Sequence, residues 1–371
     1  MLNIKIVVIL MKNNEILENK ILIVGGYGSV GSVVSESLSQ LFLDKLIIAG
    51  PNFNRAKKHA NQLGSNVIPL AFDVNDKAQF DETLYGVSLV IMCIDQSDTK
   101  FVEACLLRGI HYVDISASYK FLSQVELLSQ LAIENKSSVV LSVGLAPGVT
   151  NLLSSLCKIK DPTVEQIDIF IMLGSGERHG NAAYKWAFND LNDKYLISNG
   201  ESDILVSTFE DGKETEIFGL DDSRVFYPSN FSDQHVLPRT LGIKSVNTRL
   251  CFDSKALTLL FVAMKKIGLH RLLAFQWIQR FLIKFMSIVR IGDENFLIKV
   301  SAKSNNLKNS YPEYILTGSN EASITGQVTV KVAHEILRGS VGHGIFHIEQ
   351  VFEPSKFINN LDVVVYEKEC C

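Results

Sequence analysis

The chain has 371 residues and a formal net charge of -4, with 47% hydrophobic and 20% charged residues. This composition is typical of a globular protein, and the length predicts two domains. The small net charge gives no reason to expect a nucleic-acid partner. None of the six cysteines forms a CxxC pair, and no Cys/His cluster has the spacing of zinc ligands, so no metal site is expected. The first four cysteines indicate reduced thiols in a cytoplasmic protein, whereas Cys370 and Cys371 form an exposed pair whose modification stays open.

Residues 20–150 alternate between apolar runs and amphipathic segments, after a predicted N-terminal extension at residues 1–19. The apolar runs predict six strands, and the segments between them predict helices. The six runs are ILIV (21–24), LII (46–48), NVIPLAFDV (66–74), SLVIMCI (88–94), HYVDIS (111–116) and SSVVLSVG (137–144). Strands buried on both faces and separated by helices predict an α/β fold, in which a doubly wound parallel sheet forms a Rossmann domain.

Residues 151–371 have a different pattern, which predicts an α+β domain for substrate binding or dimerisation. Strand-like runs and polar loops alternate up to about residue 250, and an apolar helical region follows at 256–290. Two further strands are expected at 294–300 and 313–317. Glu321 to Arg338 predicts a helix, since a glycine stands just past its end.

The sequence ILIVGGYGSVG places a glycine-rich loop directly after the first strand. Gly26, Gly28 and Gly31 form G-x-G-x-x-G at the start of a helix, where backbone N–H groups and the positive end of the helix dipole bind a diphosphate. The first glycine permits the turn, the second lets the phosphates approach, and the third lets helix and strand pack closely. The loop therefore predicts dinucleotide binding, and its other candidate contacts are Tyr27, Ser29 and Val30.

The turn after the second strand, LIIAGPNFNR, contains no Asp or Glu. An acid at this point binds the ribose 2′-OH of NAD and repels a 2′-phosphate, whereas Arg55 and Asn52 are able to bind one. The turn therefore favours NADP, with NAD as the alternative. Asp73 and Val74, after the third strand, are predicted to lie near the adenine. Asp73 has a second interpretation, as the cap of the helix that follows.

Several motifs in order resemble the saccharopine dehydrogenase-like family, in its short form with an NADP-binding domain. They are GGYGSVG, AGPNFNRAKKHANQLG, HYVDISA, GLAPGVTNLL, GERHGNAAYKW, DQHVLPRTLG and EASITGQV. The glycine loop is generic, but the ordered set is specific. Relatives usually have an arginine where this chain has Pro51, and that arginine is the family's expected partner of the 2′-phosphate. Arg55 is the candidate substitute.

The resemblance implies hydride transfer between a nicotinamide ring and a carbon bonded to nitrogen, in a small substrate derived from an amino acid. The nicotinamide is expected over the carboxyl ends of the fourth to sixth strands. Cys93, Ile94 and Asp114 lie at those ends. Asp114 has two open interpretations, to orient backbone or ribose hydroxyls or to cap the turn that follows.

The substrate residues are expected in two further motifs. In GERHG and the residues after it, His179 is the candidate acid or base, because imidazole titrates near neutrality, and Lys185 is an alternative base. Arg178 is expected to bind a substrate carboxylate, and so is Lys185 if it does not act as the base, while Trp186 is expected to line the pocket. A second polar cluster contains His235 and Arg239 in DQHVLPR.

Residues 270–290 mix basic residues with aromatic and aliphatic ones. We expect this helix to pack on its own domain or on a second copy in a homodimer, since its apolar residues run nearly all round. Contact with a membrane surface is the alternative. A second function also stays open, that of a non-enzymatic NADP(H) sensor or membrane-peripheral protein that keeps the fold without turnover. His343, His347 and Glu349 have the residue types of metal ligands, but the strand-like HIEQVF around them argues against a metal site.

Overall fold

The computed structural model describes residues 19–42, 44–176, 187–189, 191, 194–217, 223–275, 277–280, 282, 284, 292–304 and 311–370. The chain forms two compact units. The first comprises the residues up to Ser116 together with Ser123–Leu141 and Thr329–Phe346. The second comprises Ala117–Leu122, Ser142–Val328 and the residues from His347 onward.

The first unit is built on a seven-stranded sheet. Its strands are β1 Lys20–Val24, β2 Leu46–Gly50, β3 Ile68–Ala71, β4 Val87–Met92, β5 His111–Asp114, β6 Ser138–Leu141 and a later strand, β15 Gly344–His347. Their order is β3-β2-β1-β4-β5-β6-β15, and the six strands from β3 to β6 are parallel. This is the strand order of a dinucleotide-binding sheet. Strands are added outward from β1 to β3 on one side and from β4 to β6 on the other, so the order switches between β1 and β4.

Helices connect these strands. They are α1 Ser29–Leu41, α2 Phe53–Leu63, α3 Phe80–Thr83, α4 Lys100–Leu106, α5 Tyr119–Glu126 and α6 Ser129–Glu134. The first strand has no exposed apolar residue, since Ile21, Leu22, Ile23 and Val24 are all 0% exposed. A strand buried on both faces needs an unbroken apolar run, and this is why the sequence pattern revealed the sheet.

The second unit contains a seven-stranded mixed sheet and a hairpin. The sheet strands are β7 Gln166–Leu173, β10 Lys213–Glu216, β11 Ser223–Pro228, β12 Ser245–Phe252, β13 Asn295–Lys303, β14 Tyr311–Ser319 and β16 Val364–Cys370. Their order is β10-β11-β12-β7-β13-β14-β16, and only β12 and β7 are paired in parallel among these neighbours. The hairpin pairs β8 Lys194–Ser198 with β9 Asp203–Ser207. Phe170, Phe226 and Leu297 belong to the buried core of this sheet.

The helices of the remaining chain are α7 Thr150–Lys160, α8 Asp233–Thr240, α9 Lys255–Lys266, α10 Glu321–Leu337, α11 Ile348–Val351 and α12 Pro354–Ile358. The expected strand character of HIEQVF is wrong, because residues 348–351 form α11 and only the preceding GIFH is a strand. Within the described residues, no helix is both long enough and apolar enough to cross a membrane.

The two units do not separate at one point of the chain. The sequence places a boundary at residue 150, but residues 329–346 return to the first unit, where β15 lies beside β6. Residues 142–150 belong to the second unit. This arrangement is not visible in the sequence, because a four-residue strand far along the chain has no local signal that names its neighbour.

Candidate functional site

The glycine loop joins β1 to α1 and leaves the start of that helix open. Gly25 has a φ of +80°, and the N–H of Gly28 donates to the Gly25 carbonyl at 2.8 Å. Gly28 occupies the N-cap position without a side-chain hydrogen bond, and the first turn contains no acid. The first N–H groups of α1 therefore have no helical or capping partner among the described residues, which is the arrangement that binds an anion.

The loop is so tight that it excludes side chains. A Cβ on Gly31 would lie 2.2 Å from the Gly25 carbonyl oxygen, and one on Gly28 would lie 3.1 Å from the same atom. The Ser35 hydroxyl donates to the Gly26 carbonyl at 2.9 Å and fixes the loop from the helix side. The residues present therefore fit the diphosphate of a dinucleotide, because the backbone is bare where the phosphates approach.

The turn after β2 lies against this loop. The backbone N–H of Asn52 donates to the Tyr27 hydroxyl at 3.0 Å, and the Arg55 guanidinium carbon lies 4.8 Å from the centre of the Tyr27 ring. A Cβ on Gly50 would lie 2.4 Å from that hydroxyl oxygen, so Gly50 makes the room that Tyr27 occupies. Stacking on the ring holds an exposed arginine beside the glycine loop.

The side chain of Asn52 has an oxygen that accepts a hydrogen bond within the turn and a nitrogen that can donate one. Its side-chain oxygen accepts a hydrogen bond from the Arg55 N–H at 3.1 Å and thereby caps α2. The amide nitrogen of Asn52 is the remaining donor. Arg55 and Asn52 therefore both present N–H donors at the turn where the adenosine ribose lies in folds of this type.

Two further cofactor candidates lie at the same edge of the sheet. Asp73 follows β3, and its carboxylate accepts hydrogen bonds from the N–H and the side chain of Asn75, both at 3.0 Å. The cap of the short 3-10 helix that follows is Asp76, so the capping interpretation of Asp73 is wrong. Asp73 is exposed, and Val74, the next residue of this turn, is half-buried.

Cys93 and Ile94 follow β4 and touch the glycine loop. A Cβ on Gly25 would lie 2.6 Å from Ile94 Cγ2 and 3.2 Å from the Cys93 carbonyl oxygen. Desolvation raises the pKa of the Cys93 thiol to about 12, so this thiol is protonated at neutral pH. Cys93 and Ile94 therefore place backbone atoms and a methyl group beside the loop. The Cys93 thiol does not act as a thiolate nucleophile at neutral pH.

Asp114 ends β5 and is buried. Its Oδ2 accepts hydrogen bonds from the Tyr112 hydroxyl at 2.8 Å and from Gln96 Nε2 at 3.2 Å, and its Oδ1 accepts one from the Ser116 N–H at 2.8 Å. None of these partners is a cation, and burial raises the pKa of Asp114 to about 7. The carboxyl holds the turn that follows the strand, which is the capping interpretation.

His235 lies on α8 in an aromatic setting of the second unit. Its ring stacks on Tyr119 with the centroids 4.5 Å apart, and it meets the Tyr195 ring edge-on at 5.8 Å. Its Nε2 lies 2.7 Å from the Asn230 side-chain oxygen. Burial, assisted by the charge of Arg239, lowers the pKa of His235 to about 4. The imidazole is therefore neutral at pH 7, with its hydrogen on Nε2, and the exposed Arg239 is the cation of this cluster.

A buried polar network runs through the same unit. Glu349, on α11, accepts hydrogen bonds from Asn151 Nδ2 at 2.9 Å and from the Thr240 hydroxyl at 2.6 Å. Asn151 in turn accepts from the Gly148 N–H at 3.1 Å through its side-chain oxygen. The network therefore connects three segments that are far apart in sequence.

A second carboxyl lies beside this network. Asp233 is 0% exposed, and its Oδ1 accepts from the Thr248 hydroxyl at 2.6 Å and from the Gln234 N–H at 2.8 Å. Burial raises the pKa of Asp233 to about 6, and the charge of Glu349 contributes in the same direction.

Three of the motifs that carry the family resemblance contribute residues to this network or next to it. GLAPGVTNLL provides Asn151, DQHVLPRTLG provides Asp233 and Thr240, and EASITGQV provides Thr325, whose hydroxyl accepts from the Leu145 N–H at 3.1 Å. The sequence indicated the motifs but not these residues, nor Tyr119 and Tyr195, and it pointed to Glu349 only as a residue type found among metal ligands. The only available signal was the density of polar residues within otherwise apolar motifs.

Four of the predicted substrate residues lie outside the described residues. They are the catalytic candidates His179 and Lys185 and the substrate-binding candidates Arg178 and Trp186. The residues with metal-ligand chemistry have other partners, since His347 Nδ1 lies 2.8 Å from the Ser142 hydroxyl and Glu349 belongs to the network above. No group of three or more His, Cys, Asp or Glu side chains in the described ranges is arranged to hold a metal ion.

Comparison with known proteins agrees with this geometry. Residues 21–141 match the family model of the saccharopine dehydrogenase NADP binding domain. The match confirms the predicted resemblance to the saccharopine dehydrogenase-like family and the predicted NADP-binding character of the first unit. A search of curated proteins found no match.

One solved structure extends the likeness beyond that domain. The apo saccharopine dehydrogenase (L-Glu forming) of Saccharomyces cerevisiae is 14% identical, with a TM-score of 0.68, and the match covers 95% of this chain and 100% of that chain. A mutant meso-dapdh of Clostridium tetani is 15% identical with a TM-score of 0.45, covering 92% of this chain and 96% of that one. The first match shows that the α/β architecture, a Rossmann-like unit followed by a mixed-sheet unit, is shared along almost the whole chain.

Proposed function

We propose that the chain is an NADP-dependent oxidoreductase that transfers hydride at a carbon–nitrogen bond of a small, amino-acid-derived substrate. The observation that carries the proposal is the bare glycine loop with Arg55 held beside it on the Tyr27 ring. The family match over residues 21–141 supports a dehydrogenase. Free cysteines in both units agree with action in the cytoplasm.

The preference for NADP over NAD rests on charge. The turn between Gly50 and Arg55 contains no carboxylate, so nothing in it repels a 2′-phosphate. A guanidinium forms charge-assisted, bidentate hydrogen bonds with phosphate, and Asn52 adds an amide donor. We propose that Arg55 takes the place of the arginine that relatives have where this chain has Pro51.

NADP supplies the hydride acceptor or donor, and the chain must supply binding, orientation and a proton. The first N–H groups of α1 bind the diphosphate, and the residues around Cys93 and Ile94 bound the space beside the loop. We propose that Arg178 and Arg239 bind substrate carboxylates and that His235, which is neutral at pH 7, orients the substrate by a hydrogen bond. His179, or alternatively Lys185, exchanges the proton of the amine nitrogen.

Two measurements test this proposal. Fluorescence titration with NADPH and NADH gives the cofactor preference, and a turnover assay with pairs of amino acids and oxo acids gives the activity. His179→Ala is expected to abolish turnover and to leave NADPH affinity unchanged, while unchanged turnover would remove the acid/base role. Tight NADPH binding without hydride transfer to any pair would favour the sensor function instead.

A further inference from the structure

The outward side of α9 and the turn that follows it form an exposed apolar surface on the second unit. Its large side chains are 42% to 73% exposed, although α9 is anchored through Thr258, Phe261 and Val262 on its other side. The exposed residues are Leu259, Leu260, Ile267, Leu269, Leu272, Phe275 and Trp277. We call this set, together with the exposed Lys266 and Arg271 between its members, the basic apolar surface. A cluster of this size is uncommon on a protein that stays free in water.

The surface is held in place by its own contacts. Lys265 Nζ donates to the Leu191 carbonyl at 2.6 Å, and Leu273 is 1% exposed. The turn beyond is fixed by Gln279, whose side-chain nitrogen lies 2.7 Å from the Leu273 carbonyl oxygen and 3.0 Å from the Asn189 side-chain oxygen. Folding therefore presents Phe275 and Trp277 outward on an anchored segment.

The segment that carries these residues is basic in sequence, although Asp253 precedes it and Asp293 and Glu294 follow it. Residues 254–292 contain seven Lys and Arg and no Asp or Glu, in a chain whose net charge is -4. Lys266 and Arg271 are exposed between the apolar residues of the surface. The segment therefore combines exposed apolar side chains with the exposed cations Lys266 and Arg271.

We propose that the basic apolar surface docks on an anionic lipid surface. Leu, Ile, Phe and Trp side chains bury apolar area at the boundary of headgroups and acyl chains, where Trp is especially favoured. Lysine and arginine beside them are attracted by anionic headgroups, by about 1 kcal/mol each. A second copy is the less favourable occupant, because a two-fold contact through this surface would bring two acid-free basic segments together.

The proposal is tested by sedimentation of the full chain with lipid vesicles. We expect binding to vesicles of phosphatidylcholine with phosphatidylserine and much weaker binding to phosphatidylcholine alone. Ile267→Ser with Trp277→Ser removes apolar area and should abolish binding. Leu127→Ser, on a side chain that is 83% exposed in the first unit, is the matched control and should bind as the wild type does.

Charge variants provide an independent measurement. Lys266→Gln and Arg271→Gln should each weaken binding to the anionic vesicles about fivefold, and higher salt should weaken the wild type as well. NADPH affinity serves as the folding check for every variant and should not change, so the lipid result does not depend on the proposed enzyme activity.

Two outcomes would overturn the proposal. One is equal sedimentation, or none, with neutral and anionic vesicles. The other is a wild-type dimer that ignores vesicles and becomes a monomer in analytical ultracentrifugation when Ile267 and Trp277 are replaced. That result would assign the basic apolar surface to a second copy of the chain.

Discussion

The hydroxyl of Tyr27 accepts a hydrogen bond from the backbone N–H of Asn52 at 3.0 Å and so joins the glycine loop to the turn after β2. The same side chain carries the Arg55 guanidinium on its ring. Tyr27 thus connects the two segments that are proposed to bind the diphosphate and the 2′-phosphate.

Arg55→Glu is expected to lower the affinity for NADPH at least tenfold while leaving NADH binding much less affected. A charge-assisted hydrogen bond contributes about 1.5–3 kcal/mol, and the new carboxylate would also repel the phosphate. Lys58→Glu, an equal change of charge on the exposed side of α2, is the control. If both variants change the ratio of the two affinities equally, Arg55 has no specific role.

Tyr27→Ala is expected to weaken NADPH binding about two- to fivefold more than Tyr27→Phe does. The phenylalanine ring retains the surface on which Arg55 stacks, a contact worth about 0.5–1 kcal/mol at an exposed site, whereas alanine removes it. Isothermal titration with NADPH measures both variants. Equal affinities would show that the ring does not position Arg55.

Gly31→Ala should abolish dinucleotide binding or destabilise the first unit. The new Cβ would lie 2.2 Å from the Gly25 carbonyl oxygen, a backbone atom that cannot move without opening the loop. We expect a loss of about 1–3 kcal/mol in the free energy of unfolding. Gly342→Ala is the control, since no atom lies within 4 Å of the position its Cβ would take. Urea unfolding with and without NADPH measures both, and wild-type behaviour of Gly31→Ala would contradict the loop geometry.

The buried carboxyl of Asp114 should make the protein less stable as pH rises. Its folded pKa of about 7 lies above the usual aspartate pKa of 3.8, so the folded state holds the proton more tightly than the unfolded state does. The free energy of unfolding is therefore expected to fall between about pH 4 and pH 7, and to change no further with this group above that window. Asp233 contributes in the same direction.

Asp114→Asn removes the first of these contributions. The variant should show a shallower decline of stability from pH 4 to pH 7 in denaturant titrations, by about 4 kcal/mol at most. A pH profile parallel to that of the wild type would mean that Asp114 is not the titrating group.

Thr240→Val is expected to destabilise the protein by about 1–3 kcal/mol, because it removes a hydroxyl donor from the buried Glu349 carboxylate. Thr240→Ser keeps the hydroxyl and should lose much less. Chemical denaturation compares the two, and equal losses would assign the effect to packing of the methyl group instead.

The sequence predicts β1, β2, β4, β5 and β6 well because these strands are largely buried, so each of them is an apolar run. It also places β3, although Ile68 and Ala71 of this edge strand are exposed. It does not reveal β12, in which Asn247, Thr248 and Arg249 stand between apolar residues and Arg249 extends to within 3.4 Å of the Asp168 carboxylate. A strand with one polar face does not form an apolar run, so its sequence resembles that of a loop.

The candidate site also has one part that the sequence predicts and one part that it does not. The glycine loop could be recognised because its three glycines are adjacent in sequence. The Glu349 network could not, since Asn151, Thr240 and Glu349 are separated by roughly a hundred residues each and meet only after folding. The position of the Tyr27 side chain between the glycine loop and the turn after β2 also depends on Gly50. This glycine contributes only the space that a Cβ would fill, and the sequence alone does not show that.

The late return of β15 to the sheet determines how the chain can be divided. A fragment that stops at residue 150 would lack this strand and leave β6 as an uncovered edge, with free backbone groups ready to pair with other molecules. Such a truncated dinucleotide-binding unit would be prone to aggregate. Isolating it intact would require splicing residues 329–346 back onto its carboxyl end.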